Sequence, residues 1–178
     1  MSTLPFRTQA CRNRLLSLLN DDELAALASV FELVDLEHEQ VLRARGHPLS
    51  HAFFPCGSVL SVLGRIRTGR PVEIGTIGNE GFLGIELLTG RQRAKAGKTV
   101  ICQIPGKAFR LPAAAFVEAV DRCISLQTVV WHYVPFYLSL MRQSMVRNRQ
   151  HPLQDRFAHW LLSSHDKGQF PSHAKEFS

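Results

Sequence analysis

Apolar residues recur along this chain with three successive periods. Near the N-terminus Leu15, Leu16, Leu18 and Leu19 predict a short helix. Asn20 with Glu23 matches a variant capping box, and Leu24, Leu27 and Ala28 then fall at helical spacing. From Phe31 to Leu111 the pattern shortens, and segments rich in Val, Ile and Phe predict strands. They cover 32–36, 40–43, 51–54, 58–66, 72–77, 99–104 and 108–111. Breaks fall at Gly46-His47-Pro48, Pro55-Cys56-Gly57, Thr68-Gly69-Arg70-Pro71, Gly78 and Pro105-Gly106. Regular short strands of this kind, roughly eight in number, point to an antiparallel barrel or sandwich. No long helix sits between them, which argues against parallel βαβ units.

After Pro112 the period lengthens again. Residues 113–120 predict a short helix and 125–149 a long one. Val129, Val130, Tyr133, Val134, Tyr137, Leu138, Met141, Met145 and Val146 recur along the long one at steps of three and four. Pro135 is expected to kink or break it. His151-Pro152 marks the start of a further helix to about Ser164, with Leu153, Phe157, Trp160 and Leu161 on one face. Trp131 and Trp160 are expected to pack. The chain therefore divides into a barrel with N-terminal helices over 1–120, a long helix and its successor over 121–166, and a polar tail over 167–178.

Composition narrows the function classes. The 178 residues are 45% hydrophobic, enough for a packed core. No uncharged apolar run reaches the length of a bilayer span, and the N-terminus lacks a signal-peptide core, so a soluble cytoplasmic protein is expected. The net charge of +6 permits an anionic partner. Cys11, Cys56, Cys102 and Cys123 lie far apart without metal-ligand spacing, so free and mostly buried thiols are expected and no metal site. No nucleophile elbow, Walker loop or HExxH helix is present, and no enzyme is predicted.

The stretch most suggestive of chemistry is GNEGFLGIELLTG, residues 78–90, followed by the basic run RQRAKAGK. Glycine beside positive charge is a common way to cradle a phosphate. A plainer reading makes Arg91, Arg93, Lys95 and Lys98 solvated loop charges and Ile85 and Leu87 apolar packing residues.

Four stretches together resemble the sensor part of Crp/Fnr-type transcription regulators, a cyclic-nucleotide-binding-like domain. They are Asn13-Arg14-Leu15-Leu16, His51-Ala52-Phe53-Phe54-Pro55 through Gly57-Ser58-Val59, Val72-Glu73-Ile74-Gly75 leading into Gly81-Phe82-Leu83-Gly84, and Asp155 to Leu162. The resemblance spans about Arg12 to Asp166. It implies an α+β fold: a double-stranded β-helix or jelly roll, with a long C-terminal helix that pairs with a second copy. It implies that the glycine loop is a phosphate cassette, in which a glutamate holds a ribose hydroxyl and an arginine about ten residues later pairs with the phosphate. On this chain the cassette-like residues are Gly84, Ile85, Glu86, Leu87, Lys95, Ala96, Gly97 and Lys98. The glutamate position is Ile85, with Glu86 one step late, and the arginine position falls near Ala96 between Lys95 and Lys98. One helical step turns a side chain by about 100°, and lysine lacks the bidentate fork of arginine. The resemblance thus implies a sensor that does not answer to cAMP.

By the same likeness Tyr137, Met141 and Arg142 face a ligand base. Val130, Val134, Tyr137, Leu138, Met141 and Met145 form the expected homodimer seam. A winged helix-turn-helix would begin in the tail; the chain reaches Ser178 with no room for a recognition helix, so DNA contact is expected only through that missing module. No cofactor is implied. A haem would need His47, His51, Cys56 or His132, each of which reads as an ordinary residue. The rivals are a true cyclic-nucleotide-binding domain with a displaced cassette, a cupin-like metal enzyme lacking the needed histidines, and a direct nucleic-acid binder.

Overall fold

The computed structural model describes residues 3–10, 12–65, 71–89 and 97–150. Helix α1 (Thr3–Ala10), a 3-10 turn (Leu16–Leu18) and helix α2 (Asp21–Leu27) lead into the strands. These are β1 (Glu32–Leu36), β2 (Val41–Arg43), β3 (His51–Pro55), β4 (Val59–Arg65), β5 (Pro71–Ile77), β6 (Thr99–Ile104) and β7 (Gly106–Pro112). A 3-10 turn over Ile85–Thr89 separates β5 from β6, and helices α3 (Ala113–Arg122) and α4 (Ile124–Gln150) close the described chain.

The strands form two antiparallel sheets, ordered β1-β7-β3 and β2-β6-β4-β5. The predicted strands stand within one or two residues of their expected ends. Seven strands rather than eight are found among the described residues. Helix α1 was not anticipated. Its mean hydropathy is near neutral and it lacks an apolar stripe; its contribution is Phe6, whose ring lies 5.1 Å from that of Phe109. The predicted capping box is present: Glu23 N–H donates to Asn20 Oδ1 at 2.9 Å, and Asn20 N–H donates to Glu23 Oε2 at 3.0 Å.

The core is aromatic. Phe54 and Phe109 are cross-strand partners on β3 and β7 and share one face of their sheet. Phe31, Phe82 and Phe116 extend this cluster, with Phe54 and Phe82 stacked at 5.2 Å. Tyr133 of α4 joins it through Phe82 at 5.3 Å. Cys56 and Cys102 are buried free thiols, and burial pushes them up to about 12 and about 11. They are therefore poor nucleophiles near neutral pH.

Pro135 does not end the long helix; α4 runs through it. Pro135 is exposed, so the carbonyl four residues earlier loses its helical partner on the side where solvent can replace it. Trp131, expected to pack, is 48% exposed. The helix expected after Pro152, with Trp160, lies outside the described residues. Among the described residues no helix is long and apolar enough to cross a membrane.

Candidate functional site

The glycine loop is held at both ends. At its start stands Asn13, which is fully buried. The Asn13 amide nitrogen donates to the carbonyls of Pro55 (3.0 Å) and Gly81 (2.9 Å), while its oxygen accepts from the N–H groups of Leu15 and Leu16. The Arg14 N–H donates to the carbonyl of Asn79 at 2.7 Å. One side chain thus ties the N-terminal turn, the β3–β4 corner and the loop together. Farther along, Phe53 and Leu83 exchange backbone hydrogen bonds of 2.9 and 2.8 Å, so the loop extends the edge of β3.

Gly84 then turns the chain with φ of 150°, in the region that favours glycine. A Cβ there would also crowd Ala52 and the Phe82 ring at 3.2 Å. The turn Ile85–Thr89 follows because its apolar residues have a core to meet. Leu87 is buried, and Ile85 and Leu88 pack half-buried against the core. That leaves Glu86 as the turn's acidic side chain.

Glu86 points to Arg43, and the two form an ion pair. Sequence reasoning missed Arg43 altogether. It lies on β2, far from the basic run, yet it is the single charged residue in the buried set of the described chain. Its side chain is 4% exposed, against 31% for Glu86. Nε of Arg43 also reaches the carbonyl of His47 at a long 3.4 Å. Burial draws the guanidinium below its ordinary value, with the Tyr137 phenol opposing that shift; arginine starts so high that it stays charged. Tyr137 is itself pushed up to about 12 by burial, and the Arg43 charge works against the rise. The only hint in the sequence was an arginine set in an otherwise apolar strand.

Met141 follows on the inner side of α4, one turn beyond Tyr137. It is 5% exposed, and its Sδ and Cε occupy the position that a Cβ on Gly75 would take. Helix α4 therefore closes on β5 through a glycine–methionine contact, one turn beyond Tyr137. Arg43 of β2 and Gly75 of β5 stand on the two edges of one sheet, and α4 spans them, with Tyr137 interacting with Arg43 and Met141 seated on Gly75.

The remaining expected site residues are dispersed. Gly97 and Lys98 are exposed, as is Arg142. Lys95 and Ala96, with the rest of the basic run, lie outside the described residues. Of the expected dimer seam, Val130 and Met141 face the interior of their own domain, Tyr137 packs against its core, and Val134 is half-buried. Leu138 is 54% exposed. Met145 falls within α4, where its side chain is not described. The exposed large apolar side chains of this helix are Ile124, Trp131, Phe136 and Leu138. Phe136 also borders an open groove of about 350 Å³, between α4 and the Leu15–Leu18 segment. His47, His51 and His132 bond through Nδ1 to neighbours within four residues of themselves.

No protein-family model matches the chain, and no curated protein matches it in sequence. Solved structures do match in fold. The sensor domain of the transcriptional regulator DNR from Pseudomonas aeruginosa superposes with a TM-score of 0.59 at 12% identity, covering 76% of this chain and 90% of that one. A cyclic nucleotide-binding domain from Methylobacillus flagellatus gives 0.59 at 13% identity, covering 83% of each. A cAMP-binding acyltransferase from Mycobacterium smegmatis gives 0.61 at 18% identity, covering 75% of this chain but 42% of that one. The chain therefore has the fold of cyclic-nucleotide-binding domains and regulator sensor domains, as the resemblance to Crp/Fnr-type sensors implied.

Proposed function

We propose that this chain is the ligand-sensing and dimerisation domain of a Crp/Fnr-type transcription regulator, and that cAMP is not its ligand. The observation that carries this reading is the engagement of Glu86 by Arg43. In the fold's nucleotide-binding form, as the resemblance implies, a glutamate beside the loop glycine must be free to hold a ribose hydroxyl. Here the nearest carboxylate neutralises an internal arginine, with which Tyr137 of α4 also interacts. The cation of the site comes from β2 and already has its anion.

The direct test is thermal unfolding with and without millimolar cAMP or cGMP. A ligand at 100 times its Kd adds about 2.7 kcal/mol, which for a domain of this size raises the midpoint by roughly 5–10 °C. The expected result is an unchanged midpoint. A rise of that size with either nucleotide overturns the reading in favour of a true cyclic-nucleotide sensor.

The homodimer belongs to the same proposal, with a revised seam. Ile124, Trp131 and Leu138 are exposed and stand seven residues apart, the repeat of a two-helix coiled coil. Val130 and Met141 serve the barrel. Leu138→Glu is expected to give a monomer with unchanged circular dichroism. Two leucines lost per dimer, each worth about 2 kcal/mol, weaken association by roughly a thousandfold. Sedimentation velocity across a concentration series measures this. A dimer of undiminished affinity in both Leu138→Glu and Trp131→Glu places the interface elsewhere.

A further inference from the structure

We infer that Arg43 is an anion receptor kept closed by the protein's own carboxylate, and that a small monocarboxylate with an apolar body acts by taking the place of Glu86. The inference rests on the ligand-sensing reading above.

The ion pair is asymmetric. Arg43 is anchored in a strand with its side chain 4% exposed, and Glu86 sits at 31% on a turn of five residues. Taking the guanidinium to solvent would draw a nearly fully buried side chain out of the packing around it. The carboxylate needs only a side-chain rotation to reach solvent. An exchange at this site therefore replaces the anion and keeps the cation. The Arg43 contact to the His47 carbonyl, at 3.4 Å, lies beyond the usual length of a good N–H···O bond.

The chemistry of the incoming group follows from what it replaces. The pair is neutral, one guanidinium against one carboxylate. A second monocarboxylate preserves that neutrality and the two-pronged geometry that arginine favours. A dianion such as sulfate would leave a net negative charge in a buried site, which is strongly disfavoured. The body attached to the carboxylate lies toward Tyr137, the α4 side chain that interacts with Arg43, with Met141 one turn beyond it. Methionine is the most adaptable of apolar side chains, and Gly75 beneath it offers no Cβ to resist its movement. An apolar body displacing the Met141 tip occupies the space between β5 and α4. Such an occupant touches the helix proposed to pair with a second copy, so its binding is coupled to the disposition of α4.

The test uses the full chain, with benzoate as the monocarboxylate probe, benzamide as its neutral analogue and sulfate as the dianion, at constant ionic strength. Backbone amide chemical shifts of Gly75, Tyr137 and Met141 report occupancy of the interior. Affinities are compared for wild type, Glu86→Gln, and the double variant Glu86→Gln with Arg43→Met. Glu86→Gln removes the internal competitor, so benzoate is expected to bind it at least about tenfold more tightly than wild type. The double variant is expected to lose the gain, and benzamide and sulfate to show none. Interior shifts with equal affinity in wild type and Glu86→Gln overturn the exchange while leaving the sensor reading intact. An absence of interior shifts in every variant overturns the exchange and also the barrel interior as the sensing site. If Glu86→Gln does not fold alone, recovery of its fold by benzoate and not by benzamide supports the proposal, and no recovery overturns it.

Discussion

Asn13→Ala is expected to lower the unfolding midpoint by roughly 6–12 °C, corresponding to about 3 kcal/mol for a domain of this size. The fully buried amide makes four hydrogen bonds, to Pro55 and Gly81 as donor and from Leu15 and Leu16 as acceptor. Alanine satisfies none of them. A typical bond contributes about 1 kcal/mol, but each buried group left unpaired costs more than a bond gained. Part of the loss is recovered where the N-terminal turn frays and water reaches Leu15 and Leu16. Asn13→Asp tests the mechanism, since it keeps the acceptor, loses both donors and buries a charge. It is expected to be at least as damaging as alanine. Calorimetry decides the matter, and a midpoint within 2 °C of wild type for Asn13→Ala, by the same roughly 2–4 °C per kcal/mol, would show that the loop is held by other contacts.

The second large effect is an asymmetry across the ion pair. Glu86→Ala leaves a buried guanidinium without its counter-ion and is expected to cost about 3 kcal/mol, the low end for breaking a buried pair because Glu86 is partly exposed. Arg43→Met is expected to cost about 1 kcal/mol, because methionine fills the strand position and Glu86 turns to water. The double replacement by Met and Leu is expected to come close to wild type, since apolar residues of similar volume often equal a buried ion pair in stability. Urea unfolding of all four proteins gives the coupling energy directly. If Arg43→Met proves more damaging than Glu86→Ala, the burdensome charge is the carboxylate, and the picture of an arginine waiting for an anion is wrong.

Much of the fold was legible in the sequence because its signals are local. The capping box depends on two residues three positions apart. The strands alternate or run apolar over short lengths between Gly and Pro breaks, and β6 was placed residue for residue. Helix α1 escaped because its packing, Phe6 against Phe31 and Phe109 with Ala10 buried in the core, depends on partners distant in sequence. Pro135 was expected to kink or break the helix and does not break it, because helix-breaking depends on whether the freed carbonyl faces solvent, and no local pattern reveals that. The residues of the expected seam divide for a similar reason, Val130 and Met141 being buried in their own domain and Leu138 exposed. Val130, Tyr137 and Met141 share a stripe with the right period, but periodicity alone does not say whether a stripe meets its own barrel or a second helix.

The candidate site divides along the same line. The glycine loop and the turn after Gly84 were visible in the chain, because backbone freedom is a property of neighbouring residues. The search for a cation went to Lys95 and Lys98, where sequence proximity suggested it. The charge that Glu86 meets is Arg43, more than forty positions before it. By itself the sequence determined the strands, the turns and the helices other than α1, since these follow from the preferences of a few adjacent residues. Only the tertiary structure decided which charge is buried, which face of α4 is spent on the barrel, and which carboxylate Arg43 holds. Burial, and with it the strength of an ion pair, is a property of the surroundings in three dimensions.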